Sequence, residues 1–556
     1  MGRWARFTQS FQRADLDTLQ PSSTTKDGSA SMNDIEKAVA ATSKGELHRK
    51  LKNKHVQMIA LGGSVGTGLL IGSGGALHTG GPAALLIAWG LVGTMVFCTI
   101  HSLGELCVAY PVNGAFSTYA TRFVDSSWGF AVGWNYALMW LIVLPLELVA
   151  AAMCITYWNS GINPVAWVAI FYLLIVVINL LDVKGYGEAE FYLTIFKVVA
   201  IVGFIILGVV LVCGGGPNHT FVGAKYWKNP GAFANGFKGV ATTFVTASYS
   251  LAGSEMVGLA SAEVANPRSV LPKAVRQVFW RIFLFYFLSL TFIGLLVPSN
   301  SDQLLGSSTA SASPFVIAIK NGGIKVLPSI FNAVILISVI SVGNSAVYGC
   351  SRTIQSLGAQ GLGPSYLAYV DRKGRPLAGL MMSAVFGLLC FLSAYKDQGQ
   401  VFGWLLSVSG LATIFLWFNI GLCHVRFRMA MRLQGRSTDE LVFTAVTGVA
   451  GSIYSMVLLV LVLGVQFWVA LFPIGSSKPS AKNFFQNYLG SVVILVFYLG
   501  HKIWTRNWRI YVPLKDIDLD SGRRDTDMKL IRQEMEEERE RNRAMPVHKR
   551  LWNYWC

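Results

Sequence analysis

The sequence predicts an all-α polytopic membrane protein with about twelve transmembrane helices, and three observations carry that prediction. The 556 residues are 53% hydrophobic and only 13% charged, about half the roughly 25% charge of an ordinary soluble domain. The mean hydropathy is +0.49. The apolar residues are gathered into runs such as 165–181, 198–212, 282–297 and 491–499, separated by short polar loops. Each run with its flanks approaches the ~20 residues that cross about 30 Å of hydrocarbon. A helix facing water keeps a polar stripe, and these runs are apolar all round.

Taken in order, the first four spans fall near 56–77, 83–110, 128–158 and 164–181. The next four lie near 191–213, 238–262, 278–297 and 327–357, and the last four near 377–395, 401–424, 442–471 and 484–503. This divides the chain into an N-terminal tail (1–55), a membrane domain (56–503) and a C-terminal tail (504–556). Basic residues orient it. With both tails cytosolic, the inner loops and adjacent helix ends hold fourteen Lys and Arg and the outer loops eight, with ten more in the N-terminal tail. That excess places both ends in the cytosol. The sequon at Asn218, Asn218-His219-Thr220, then falls in an outer loop, as a glycosylation acceptor requires. The net charge of +17 reflects this topology and is no sign of a nucleic-acid partner.

The N-terminal tail, rich in Ser, Thr, Asp and Lys without a hydrophobic period, reads as disordered. Residues 525–543 mix Glu and Arg at helical spacing and read as a solvated helix. The chain ends Leu551-Trp552-Asn553-Tyr554-Trp555-Cys556. Its tryptophans suit the membrane interface and Cys556 is a palmitoylation candidate, with a frayed aromatic end as the alternative.

The first span is interrupted by Gly62-Gly63-Ser64-Val65-Gly66-Thr67-Gly68. At about 1 kcal/mol per interior Gly, such a run breaks the helix, and unwound backbone inside a bilayer persists only where it is buried or lines a cavity. The half-helix restarting after the break points free N–H groups and its positive dipole end into the gap, a site for a carboxylate. The half-helix ending before it offers carbonyls to an ammonium group. An α-amino acid carries both. Close helix packing through small residues is the competing reading. A second break is predicted in the sixth span at 250–258, where Gly253-Ser254 echoes Gly63-Ser64. Paired breaks at matching positions mark a transporter's binding site. They predict a 5+5 inverted repeat, LeuT-like, with helices eleven and twelve added.

Three ionisable residues stand within apolar surroundings: Glu147, Lys197 and Glu255. Charges at membrane depth face a cavity or a partner. Lys197 lies near the cytosolic end of its helix, where its stem also has the option of snorkelling. Glu147 follows Pro145 and has the alternative role of capping a kink. Glu255 sits inside the second break, and Glu105 reads as a structural hydrogen-bond acceptor. Gly-rich stretches lack the Gly-Lys-Ser/Thr ending of a phosphate loop, and no HExxH or paired Cys spacing is present. Neither an enzyme, nor a metal site, nor a cofactor is indicated; an ion gradient suffices to drive the chemistry.

Several motifs in order resemble fungal amino-acid permeases of the amino acid–polyamine–organocation superfamily. They are the run Met58–Gly68, Gly104-Glu105-Leu106 with Tyr110-Pro111-Val112-Asn113-Gly114, Leu144-Pro145-Leu146-Glu147-Leu148, Ala252-Gly253-Ser254-Glu255, Asn266-Pro267-Arg268 and the loop from Tyr369 to Pro376. The resemblance spans about 48–510 and is nearest the general, broad-range permeases. It implies a plasma-membrane amino-acid/proton symporter working by alternating access. It implies that Ser64, Val65, Gly66, Thr67 and Gly68 hold the substrate carboxylate, and that carbonyls near Ile59 and at Tyr249, Ser250 and Leu251 hold its ammonium, with Gly253 and Ser254 beside them. Lys197, with Glu147 and Glu255, would couple protons. Ser254 departs from the Thr frequent in relatives. The resemblance also implies that trafficking and ubiquitin-ligase machinery acts on the tails. An amino-acid sensor signalling through its tails, and a permease narrow for one amino-acid class, are the alternatives.

Overall fold

The structure, a computed structural model, describes residues 57–58, 61–158, 161–180, 183–261, 263–264, 267–304, 313–394, 396, 398–521, 523, 537, 540–541 and 545–546. Ile59, Cys556, the N-terminal tail and most of 525–543 lie outside the described residues. The protein is an all-helical, multi-pass membrane protein. Among the described residues nine helices are long and apolar enough to cross a bilayer. One of these, Gly68–Ala109, makes two passes, because Gly81 takes φ +84° ahead of Pro82 and turns the chain. A side chain at Gly81 would meet the backbone of Ala232 and Ala234.

We number the membrane passes α1 to α12. The first, α1, consists of helical residues at 57–58 and 61–62, an unwound stretch and a restarted helix that begins as a π-helix, Gly68–Gly72, and runs on to 80. Then come α2 (82–109), α3 (Ser126–Thr156), α4 (Pro164–Asn179) and α5 (Val183–Val212). Helix α6 is in two pieces, Gly236–Leu251 and Met256–Ala260. Next are α7 (278–296) and α8 (Leu327–Ala359), then α9 (Leu377–Gly387, tightening to a 3₁₀ turn over Leu388–Ala394). The last three are α10 (Gln398–Leu433), α11 (Gly448–Leu471) and α12 (Ala481–Thr505).

Five passes carry the chain to the opposite face, so the unit α6–α10 necessarily begins on the side where α1–α5 ends. Each unit opens on a broken helix. This is the 5+5 inverted architecture, with α11 and α12 appended. Burial follows it: α1, α2, α3, α8 and α10 are mostly enclosed, while α5, α9, α11 and α12 face outward with apolar side chains such as Val199, Met381, Leu461 and Val496. Two short loop helices, Ala115–Phe123 and Pro314–Asn321, were not anticipated from hydropathy, being too short to read as spans.

Several buried charges away from the centre are paired. Glu105 forms an ion pair with Arg428 and accepts from its Nη2 at 2.9 Å and from the Ala445 N–H at 2.6 Å, the structural part expected of it. Glu263 binds Arg352 at 2.6 Å and takes the Tyr348 hydroxyl at 3.0 Å. Asp371 binds Arg375 at 2.6 Å.

The first part of the C-terminal tail is not a solvated segment. Val512 N–H donates to Val124 O at 2.7 Å, Tyr110 donates to Leu519 O at 2.8 Å, and Ile517 and Leu519 are buried. Arg523 reaches Glu440 at 2.9 Å. Partial burial raises the Glu440 carboxyl, but hydrogen bonds from Arg523 and Arg436 outweigh it and hold the group below the usual carboxylate range. Folded structure therefore continues past 504 to at least 521. Asn218 is exposed in its loop, with its amide donating to Asn321 O at 3.4 Å.

Candidate functional site

The two breaks lie against each other. A Cβ at Gly68 would stand 2.5 Å from Ser250 Cα, and one at Gly253, whose φ is +90°, would stand 2.5 Å from Gly63 O. Only glycine lets the two backbones approach so closely. Each break is closed off in the same way. The Ser64 hydroxyl donates to Leu61 O at 3.1 Å and the Ser254 hydroxyl to Leu251 O at 2.9 Å, each capping the carbonyl three residues back. The Gly-Ser echo thus has a physical cause: the same cap is used twice.

Between the breaks, α3 and α8 lies a small cavity of about 20 Å³. It is lined by Gly63, Ser64, Gly66, Thr67 and Gly68 of α1; Met139, Trp140, Val143 and Glu147 of α3; Tyr249, Ser250 and Ala252 of α6; and Val342 of α8. Six of the residues singled out in the sequence for substrate contact, Ser64, Gly66, Thr67, Gly68, Tyr249 and Ser250, face this cavity. Val65, Leu251, Gly253 and Ser254 lie in the breaks behind it, and Ile59 is outside the described residues. Trp140 and Val143 had a usable signal, since they precede Glu147 by seven and four residues on one helix face.

Glu147 joins the two halves. Its carboxylate accepts the Thr67 hydroxyl of α1 on one oxygen and the Tyr249 hydroxyl of α6, at 2.7 Å, on the other. It is 1% exposed. The role is a bridge between both broken helices, in place of a cap for the Pro145 kink. Tyr286 of α7 makes a second bridge, with its hydroxyl 2.7 Å from Ser64 O and 3.0 Å from Ser250 O. One hydroxyl proton serves one of these carbonyls at a time.

Lys197 does not snorkel. It is 1% exposed, and its ammonium donates to Gly62 O at 2.6 Å, the carbonyl where α1 leaves its first turn. Glu255, by contrast, turns away from the cavity. Both of its oxygens accept the Gly253 N–H at 3.1 Å and one takes the Trp417 indole N–H at 3.4 Å. Its carboxylate therefore satisfies the backbone of its own break. Among the described residues no cluster of His, Cys, Asp and Glu has the grouping of a metal site, and the seven described cysteines are free.

Comparison with known proteins fits this geometry. The family model described as amino acid permease matches residues 55–513. The chain is 79% identical to the amino-acid permease GAP3 of Candida albicans over 94% of this chain and 88% of that one. It is 54% identical to the general amino-acid permease GAP2 of the same organism, covering 100% and 93% of the two chains. With the general amino-acid permease GAP1 of Saccharomyces cerevisiae the identity is 51%, over 100% and 92%. A cavity flanked by two broken helices, in a chain matched by that family model from before the first pass to beyond the last, makes this protein a member of the amino acid permease family and a transporter, not an enzyme.

Proposed function

We propose that the chain is a plasma-membrane, proton-coupled importer of amino acids with broad range, that it works by alternating access, and that both of its termini are cytosolic. The observation that carries the reading is the Lys197–Gly62 hydrogen bond. A titratable amine there grips the backbone of the substrate cradle itself, so its charge state bears directly on the cradle's shape. Protonated, Lys197 holds the first turn of α1 in place. Once neutral, it loses the charge-assisted part of that bond, which is roughly twice as strong as its neutral counterpart. Release of the half-helix toward the cytosol is then eased.

In this reading the first N–H groups of the helix restarting at Thr67 and Gly68 receive the substrate carboxylate. Ser64 O and Ser250 O, which Tyr286 already engages, receive the ammonium together with Glu147. The side chain projects toward Met139, Val143, Trp140 and Val342. A flexible thioether in that wall adapts to different shapes, which supports breadth, as does the likeness to two general amino-acid permeases.

The test is uptake of a panel of radiolabelled amino acids in permease-deficient cells at two external pH values, with and without an uncoupler. Wild type should accumulate several amino acids in an uncoupler-sensitive way, and Lys197→Ala should lose that accumulation or its dependence on pH. Binding without accumulation by surface-exposed wild type would overturn the reading in favour of a sensor.

A further inference from the structure

Lys197 has a buried acidic neighbour that the sequence reading passed over. Glu190 lies seven residues before it on α5, two turns or roughly 10 Å along the helix, and is 0% exposed. Its Oε1 accepts the Ser341 hydroxyl of α8 at 2.5 Å, while its Oε2 has no hydrogen-bond partner among the described residues. An ionised carboxylate so enclosed is costly unless fully bonded, and such groups at membrane depth mark proton paths.

Its location is specific. A Cβ placed on Gly62 would stand 2.1 Å from Glu190 Oε1 and 2.4 Å from the Thr194 hydroxyl. The residue whose carbonyl Lys197 holds is therefore the same residue whose side-chain space Glu190 fills. Gly62 is a glycine because the carboxylate occupies the place of a side chain. Thr194 donates to Met58 O at 3.3 Å, fastening the same turn of α1. Among the described residues Lys197 is the one charged side chain acting on Glu190, and Glu147 is the other carboxylate acting on Lys197. The packed elements contribute only uncharged groups: Ser341 from α8, and the Met58 and Gly62 backbone from α1. Beyond Ser341 the polar face of α8 continues to Asn344, whose Oδ1 accepts from half-buried Asn179 at the end of α4, 2.7 Å away.

We infer that Glu190 is the proton acceptor on the cytosolic side of Lys197, passing the symported proton from that amine toward the Ser341–Asn344–Asn179 track and the cytosol. This rests on the symport reading above and on its topology. In the step, which requires the Lys197 amine and the Glu190 carboxylate to close from beyond ion-pair distance once Lys197 lets go of Gly62 O, an N–H bond of the ammonium breaks and an O–H bond forms on Glu190. An ammonium and a carboxylate become an amine and a carboxylic acid, and the proton then leaves to cytosolic water. Glu190 touches neither the cavity nor the substrate; it acts through Lys197 and is a positioning and relay residue.

The experiment uses the full chain reconstituted in vesicles with a pH-sensitive dye inside and radiolabelled L-alanine as substrate. Glu190→Gln keeps a carbonyl oxygen for Ser341 but does not titrate. Alanine counterflow, which needs no net proton release, should stay within about threefold of wild type. Uphill accumulation and substrate-driven internal acidification should fall on the order of 100-fold, and Glu190→Asp should restore part of both. Wild-type acidification by Glu190→Gln would overturn the relay and leave symport standing. Loss of counterflow together with net uptake, unrescued by Glu190→Asp, would overturn it in favour of a structural role. Wild-type vesicles that accumulate alanine without acidifying would bring down the symport reading first, and the relay with it.

Discussion

The two broken helices occupy equivalent places in the two repeats and share the Glu147 and Tyr286 bridges, yet their remaining polar groups are satisfied differently. The break in α6 has two internal bonds, Ser254 capping Leu251 O and Glu255 taking the Gly253 N–H, and is also reached from outside by Trp417, by Tyr286 at Ser250 O and by Glu147 at the Tyr249 hydroxyl. The break in α1 uses one internal cap, Ser64, and for the rest depends on other helices. Lys197 of α5 holds Gly62 O, Tyr286 of α7 reaches Ser64 O, and Glu147 of α3 takes the Thr67 hydroxyl. A self-bonded break is a fixed surface. A break held from outside can be released by any change in its holders, and two of those holders are titratable. In the proposed symport reading, moving parts and proton chemistry would concentrate at α1, which alone of the two breaks is held by Lys197, with α6 as the wall against which it works.

The largest expected effect separates the two carboxylates. Glu147→Ala strands the Thr67 and Tyr249 hydroxyls, at about 1–3 kcal/mol for each buried group left unpaired. If half of that falls on the substrate-bound state, uptake at low substrate drops on the order of 10–100-fold. Glu255→Gln keeps an acceptor for Gly253 and loses about 1 kcal/mol of stability, with uptake within about threefold of wild type. Uptake normalised to surface protein, with melting temperatures of the purified variants, measures both. Equal loss of uptake in the two variants would erase the asymmetry between the breaks.

Glycine substitutions sharpen the comparison on steric grounds. Gly68→Ala sets a methyl 2.5 Å from Ser250 Cα, a backbone atom that cannot yield without parting the helices. Such overpacking costs about 1–3 kcal/mol, and here it also forces open the substrate cradle. At Gly258, in the second piece of α6, the methyl would meet Leu103 Cδ2 and Phe116 Cζ at 3.2 Å, side-chain ends able to shift by a few tenths of an ångström. Gly258→Ala should therefore cost well under about 1.5 kcal/mol and leave the affinity for substrate unchanged. Substrate-induced thermal stabilisation of the two variants distinguishes them, and comparable losses would show that the α6 piece also moves.

Much of this was legible in the residues themselves. Twelve passes follow from apolar run length, and the breaks follow from four glycines in seven positions and from the Gly-Ser echo. Glu147 and Lys197 stood out because ionised groups are rare at membrane depth. Glu190 escaped notice because it sits at the start of its apolar run, near Glu188, where it looks like an interfacial charge; its burial arises from the packing of α1 and α8 against α5. Tyr286 and Val342 were hidden for a related reason. Their place at the cavity depends on how distant helices cross, which no local period encodes. Glu255 was located in the second break from the sequence, but where its carboxylate points is decided by a two-residue reach back to the Gly253 N–H that no residue pattern encodes. The docked stretch at 510–521 was read as tail because its anchors are mostly backbone groups, for which side-chain polarity carries no signal.

The smallest effect tests the feature the two breaks share. Ser64→Ala and Ser254→Ala each remove one hydroxyl donor from a buried carbonyl, so each should lower stability by about 0.5–1.5 kcal/mol. The stability losses should match, because the caps have the same i−3 geometry and lengths of 3.1 and 2.9 Å. Transport should not match. Ser64 faces the cavity and Ser254 does not, so only Ser64→Ala should also raise KM, by about two- to tenfold. Thr at either position keeps the hydroxyl and should restore stability. A raised KM in Ser254→Ala would mean that the wall at α6 communicates with the substrate after all, and that what distinguishes the two breaks is a matter of degree.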